Sequence, residues 1–330
     1  MDVFLYHYTM DLQKSNLALI LCPVYGKLSP GDNMKKQIQG SILLLIGTII
    51  WGTAFVAQSV GMDYIGPFTF QTGRSVLALI ALWPVIWLMD RQKDGGQTFK
   101  AKWTDKKLWK TGLPCGLALF VASGLQQVGL VYTDARKAGF ITAMYIVLVP
   151  VLGLLFKQKV TGRVWFSVGL AVVGRYLLSW MGVSQINFGD LMLMICAAAY
   201  AVQITLIDRL AQDLDGLRLN FVQFLVVAVL SGIVTMLTET VRWSDIAACA
   251  VPLLYTGVMS SAVAYSLQIL GQQHLDSAPA SLIMSLESVI AALSGWAILG
   301  EKMTGTELMG SALVFAAVVL SQMPAKKVPS

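Results

Sequence analysis

Along this chain, apolar and polar residues separate into long blocks. Ten apolar runs stand out, at residues 39–62, 66–89, 111–131, 135–156, 162–180, 187–209, 217–238, 249–272, 278–299 and 304–323. Each is close to the ~20 residues that a helix needs to cross the ~30 Å hydrocarbon layer of a bilayer. Charge, Gly and Pro punctuate the runs, and the one long polar connection covers residues 90–110. The pattern predicts an all-α integral membrane protein of ten transmembrane helices with short turns.

Residues 1–33 do not follow this pattern. Their apolar piece, LALILCPVY, is too short to span and contains Pro23, and the residues before it do not form a compact basic leader. Met34, Lys35 and Lys36 then precede the first clean run. The expectation is that residues 1–33 are an extension outside the native fold, with Met34 as the start.

The blocks also repeat. Residues 132–162 read YTDARKAGFITAMYIVLVPVLGLLFKQKVTG and residues 274–305 read HLDSAPASLIMSLESVIAALSGWAILGEKMTG. With one gap, Asp134 falls on Asp276, Ala138 on Ala280, Ile141 on Ile283, Gly153 on Gly295 and Lys159 on Lys302, and the closing Thr-Gly pairs coincide. Gly40 likewise matches Gly189, Trp51 matches Tyr200, Gln71 matches Asn220 and Arg74 matches Gln223. Two five-helix repeats, 34–180 and 181–330 with a short tail, account for the chain. Five is odd, so the second copy crosses the bilayer upside down relative to the first. Inverted repeats of this kind place a site near their interface in secondary transporters.

Lys and Arg fix the expected orientation. If the first run starts in the cytoplasm, eighteen of them lie in inner segments and four (Arg136, Lys137, Arg242 and Lys302) in outer ones. This bias puts both termini in the cytoplasm. The composition agrees: 56% of residues are hydrophobic and only 13% charged, half the ~25% of a soluble chain. Because the basic residues sit between apolar runs, topology explains the net charge of +6, and nucleic acid is excluded as a partner. Four scattered cysteines and two histidines offer neither a disulfide framework nor a metal site, so no cofactor is expected.

Candidate chemistry therefore rests on polar groups inside the runs. An ionised residue at a helix centre costs about 2.5 to 3.5 kcal/mol on insertion scales, so each one needs a reason. Glu287, nine residues into its run, is either a carboxyl for which proton and substrate compete or a protonated acid bonded to a neighbouring helix. Arg74 could pair with Glu287 or with a substrate carboxylate, or could anchor carbonyls inside the bundle. Arg175, near the end of its run, is expected to snorkel to the interface. Trp51 and Tyr200, at mid-run, could line a cavity, as could Tyr145, which occupies the repeat position of Glu287. Gln58, Gln126, Gln223 and Gln268 supply further polar groups, and Gln126 and Gln268 are repeat-equivalent. Pro150 predicts a kink, asymmetric because its counterpart is Ala292.

Together, WGTAF at residues 51–55, Arg74, the YTDARKAGFITAMYIVLVP hairpin and the closing SLESVIAALSGWAILGEKMTGTELMGSALVFAAVVL resemble the drug/metabolite transporter superfamily, in its EamA-type ten-helix permeases. The likeness covers about residues 39–323. It implies a cavity between inverted halves and a secondary carrier, commonly an exporter of amino acids and other small metabolites. Two departures stand out. Similar proteins often show Glu-Pro-Val where this chain has Glu287-Ser288-Val289, and Arg175 replaces a usually apolar or small residue. The expected function is alternating-access transport of an amino acid or drug-like amphiphile, most often outward, across the cytoplasmic membrane. Protons are the expected coupling partner, the chain acting as a monomer or homodimer. The alternatives are a lipid-modifying membrane enzyme, for which only His274 and Asp276 offer themselves, and a channel, which would need continuous polar rings.

Overall fold

The computed structural model of the chain describes residues 30–92, 99–133, 135–158, 160–179, 187–299 and 304–323. Most of residues 1–33, and Asp134, Lys159, Glu301 and Lys302, lie outside them. Among the described residues the regular structure is entirely helical. The long elements are α1 (Pro30–Gly61), α2 (Pro67–Gln92), then, after the short α3 (Phe99–Trp103), α4 (Lys106–Tyr132). A broken pair, α5 (Ala135–Thr142) and α6 (Tyr145–Leu155), leads to α7 (Gly162–Ser179), α8 (Phe188–Leu210) and α9 (Gly216–Thr238). The short α10 (Trp243–Ala248) and α11 (Ala250–Leu254) run into a π-helical segment, Tyr255–Ala264, that continues as α12 (Tyr265–Gln272). A second broken pair, α13 (Ser277–Met284) and α14 (Glu287–Leu299), precedes α15 (Gly305–Gln322). The first helix thus begins four residues ahead of Met34.

Nine helical stretches among the described residues are long and apolar enough to cross a membrane. The tenth run forms α7, an 18-residue helix that carries Arg163 and Arg175. The distribution of side chains is inside out. Ile42, Leu45, Ile46 and Ile49 line one exposed stripe of α1 at helical spacing, whereas Gln71, Gln127, Gln203, Asn220 and Gln272 are fully buried. Apolar faces suit lipid, and polar side chains must find their partners between helices.

Turn chemistry sets the helix starts. Thr304 accepts from the backbone of Glu307 at 3.2 Å while the Glu307 carboxylate accepts from the backbone N–H of Thr304 at 2.7 Å. Asn187 and Asp190 form the same reciprocal cap on α8. The Asp190 carboxylate also holds Lys137 of α5 and accepts from Thr133 at 3.1 Å. Glu239, just after α9, caps α2, taking the N–H groups of Phe68 (2.9 Å) and Thr69 (2.8 Å).

Two glycine contacts bring helices from distant parts of the chain close together. At Gly40 of α1 a Cβ would stand 2.9 Å from the carbonyl oxygen of Gly271 in α12, and at Gly189 of α8 it would stand 2.9 Å from that of Gly129 in α4. Gly189 is the repeat partner of Gly40, and Gly271 of Gly129. Each repeat's first long helix therefore packs, glycine on glycine, against the other repeat.

Candidate functional site

Both long hairpins are interrupted at the same repeat position. In the first, α5 gives way to α6 through Ala143 and Met144, where Met144, Ile146 and Val147 donate to carbonyls only three residues back at 3.0–3.2 Å. In the second, Ser285 and Leu286 separate α13 from α14, with the Leu286 N–H on Ile283 at 3.0 Å. Pro150 lies six residues into α6, which continues through it to Leu155, and the break falls upstream of it, at Ala143 and Met144. The second break forms without a proline: the hydroxyls of Ser281, Ser285 and Ser288 bond back to carbonyls at 2.7–3.2 Å and loosen the turn. The interruption is thus common to both copies, whereas Pro150 belongs to the first alone.

Arg175 explains how both breaks are held. It is fully buried and does not reach the interface, contrary to the snorkelling expectation. Its Nη1 donates to the carbonyl of Gly139 in α5 at 3.1 Å, and its Nη2 donates to the carbonyl of Ser285 at the second break. The Ser285 carbonyl at the second break and the Gly139 carbonyl, which also accepts from the Ala143 N–H at 3.2 Å, give the cation partners that it could otherwise find only in water.

The first residue after each break is a site candidate. Tyr145 opens α6 and Glu287 opens α14, and the Tyr145 hydroxyl lies 3.4 Å from Glu287 Oε1. Both are buried and line one cavity. Arg74 enters from α2, with Nε on Ser261 Oγ (3.0 Å), Nη1 on Gln58 Oε1 (2.9 Å) and Nη2 towards Ser260 Oγ (3.4 Å). It does not pair with Glu287. The two serines belong to the π-helical segment, whose carbonyls at Ser261 and Ala262 accept from Asn220 at 3.1 Å. The other walls are aromatic: Trp51 packs edge-on to Tyr265 with ring centres 4.9 Å apart, and Tyr145 faces Tyr200 at 6.5 Å.

One repeat-equivalent pair behaves differently in the two copies. The Tyr200 hydroxyl donates to Gln126 Oε1 at 3.2 Å. The equivalent Trp51 and Gln268 do not bond, so Trp51 Nε1 and Gln268 Oε1 are a buried donor and acceptor with no partner in the protein. An unmet buried polar group costs about 1 to 3 kcal/mol, which a water or a substrate group could relieve. The cavity leaves about 40 Å³ accessible to the centre of a water molecule. That is room for a few waters, so a metabolite fits only if the surrounding helices separate.

Of the eight site residues read from the sequence, Glu287, Arg74, Tyr145, Trp51, Tyr200, Gln126 and Gln268 line this cavity, together with Gln58. Gln223 does not; it accepts from Gln203 at 3.1 Å between α8 and α9. Phe55, Thr142, Ser260, Tyr265 and Met284 also line it and were not foreseen. Tyr265 and Ser260 fall on Ser123 and Ala118 of the regular helix α4 in the first copy, so the repeat offered no matching residue to reveal them. A second, wider cavity of about 560 Å³ by the same measure lies between α2, the π-helical segment, α12 and the turn joining α8 to α9, away from these residues.

The EamA-like transporter family matches this chain twice, at residues 38–180 and 187–323. The chain belongs to that family. It is 31% identical over 295 residues to an uncharacterized transporter of Archaeoglobus fulgidus, covering 89% of each chain. It is 32% identical over 76 residues, 23% of this chain and 26% of the relative, to the threonine/homoserine exporter RhtA of Salmonella typhimurium. A solved crystal structure shares the fold with a TM-score of 0.70 at 13% identity, covering 85% of this chain and 95% of that one. This EamA-family protein is thus a multi-pass membrane transporter for a small molecule.

Proposed function

We propose that this protein is a secondary transporter that moves an amino acid or drug-like amphiphile, most often outward, across the cytoplasmic membrane. It works by alternating access of two inverted five-helix halves, residues 34–180 and 181–330, with ten spans and both termini in the cytoplasm. Protons drive it through Glu287, and it functions as a monomer or homodimer.

One observation carries this reading. Tyr145 and Glu287, equivalent residues of the two copies, each start a half-helix and meet in a cavity walled by both. A broken helix at a repeat interface moves at its break, and two equivalent breaks can exchange conformations so that the cavity faces one side and then the other. The cavity is too small for a metabolite as it stands, in keeping with a site that must open. Amino-acid cargo is supported by the similarity to the threonine/homoserine exporter RhtA, and the inner bias of Lys and Arg supports the orientation.

The test is flux in vesicles carrying the purified chain, with a panel of amino acids and amphiphilic drugs, with and without an imposed proton gradient. Flux that rises with the gradient is expected. A protein that moves none of the panel under either condition would overturn the reading.

A further inference from the structure

The proton-coupled carrier reading leaves the charge of the cargo open, and the buried charges around the cavity bear on it; this inference rests on that reading. Three charged side chains govern the centre. Arg74 is 2% exposed, Arg175 0% and Glu287 6%. Arg74 has only neutral partners, the side chains of Gln58, Ser260 and Ser261, and Arg175 only the carbonyls of Gly139 and Ser285. Among the described residues, neither guanidinium lies within ion-pair distance of a carboxylate. The other buried charges are engaged elsewhere: Lys137 with Asp190, Arg218 with Asp90 and Asp215, and Asp208 with the amide of Gln158 at 2.7 Å. Two fixed cations thus face one titratable acid. With Glu287 ionised the centre carries one net positive charge, and with it protonated two.

Arg175 decides the sign. Ser285, whose carbonyl it holds, is two residues before Glu287, so its charge sits behind that carboxyl as a built-in counter-ion. A cationic substrate arriving at Glu287 would meet a site already balanced from behind, and Arg74 besides. Arg74 keeps free donors. Of its five N–H groups, three are used in the contacts above, leaving one on each terminal nitrogen, a fork suited to the two oxygens of a carboxylate. Both breaks also turn the positive end of a half-helix toward the cavity.

We propose that the cargo carries a free carboxylate, bound by Arg74, and that the site ranks substrates by charge: carboxylates without an amine at least as well as zwitterions, and both far above amines whose acid group is masked. Arg175 sets this ranking from outside the cavity.

The test is ligand-induced thermal stabilisation of the purified full-length protein by size-matched trios, such as 3-phenylpropionate, phenylalanine and phenylalaninamide, and the equivalent trio built on valine. The acid and the amino acid are expected to bind at least about tenfold more tightly than the amide. Arg74→Gln should abolish binding of the acids, whereas Arg175→Met should reduce the preference of acid over amide while Arg175→Lys retains it. Should Arg175→Met not fold, the contrast between Arg74→Gln and Arg74→Lys decides. Amides that bind as well as acids, or a ranking that survives the loss of either arginine's charge, would overturn the proposal and leave the carrier reading standing. No binding by any probe, combined with no flux in the vesicle panel, would overturn both.

Discussion

Lys157 is a single residue held against its own preference. Its φ of 60° lies in the left-handed region, and it closes α6 as its N–H reaches Leu154 and the N–H of Gln158 reaches Gly153, both at 2.9 Å. Gly153 leaves room there for the end of the Gln158 side chain, which a Cβ would meet at 2.6 Å and displace. Lys157→Gly should relieve about 1 kcal/mol of backbone strain and raise the melting temperature of the detergent-solubilised protein by a few degrees; a lower melting temperature would mean that the lysine side chain matters more than its backbone. His274 is a second case. Burial, with a smaller contribution from Lys36, depresses its pKa below the usual histidine value of 6.5. A depressed pKa stabilises the fold above the unfolded value and loses that contribution as pH falls, so stability should decline as pH drops below about 6.5. That decline should weaken in His274→Gln, as followed by melting temperature between pH 5 and 8. Glu287 and Arg74 were legible as cavity residues because intramembrane charge is costly whatever the packing, and Trp51, Tyr200 and Tyr145 because of their mid-run and repeat-equivalent positions. The sequence misjudged Arg175, because depth along a helix does not say which way a side chain turns, and the carbonyls that receive it come from helices distant in sequence.

Element boundaries were legible because ten runs of bilayer length leave little choice, but their internal breaks were not. The break at Ala143 and Met144 lies six to seven residues ahead of Pro150, nearly two turns, so the proline does not mark it, and the one at Ser285 and Leu286 goes with serine hydroxyls that compete for helix carbonyls. Neither leaves an obvious mark in a sequence. The π-helical segment left none. Its wider turn puts the adjacent Ser260 and Ser261 both on Arg74, and Asn220 caps the carbonyls that the altered pairing exposes. Deleting Met259, a partly lipid-facing residue of that segment, should let it tighten toward α geometry and turn one serine away from Arg74. Helical content measured by circular dichroism should stay, while flux falls about tenfold. Unchanged flux would mean that the π geometry serves packing alone.

At the scale of the whole molecule, the duplication read from the sequence reappears as paired contacts: Gly40 on Gly271, Gly189 on Gly129, and Tyr145 against Glu287. Gly40→Val should force α1 away from α12 at the cost of about 1 to 3 kcal/mol, seen as a lower melting temperature and less folded protein in membranes. A variant as stable as wild type would show that the close approach is dispensable. The central claim is that the acid at the second break couples proton movement to transport. The most direct measurement is flux in vesicles with and without a proton gradient, comparing wild type with Glu287→Gln. The account predicts that wild-type flux follows the gradient and that the variant loses this dependence while remaining folded. Flux in Glu287→Gln that responds to the gradient as wild type does would contradict it.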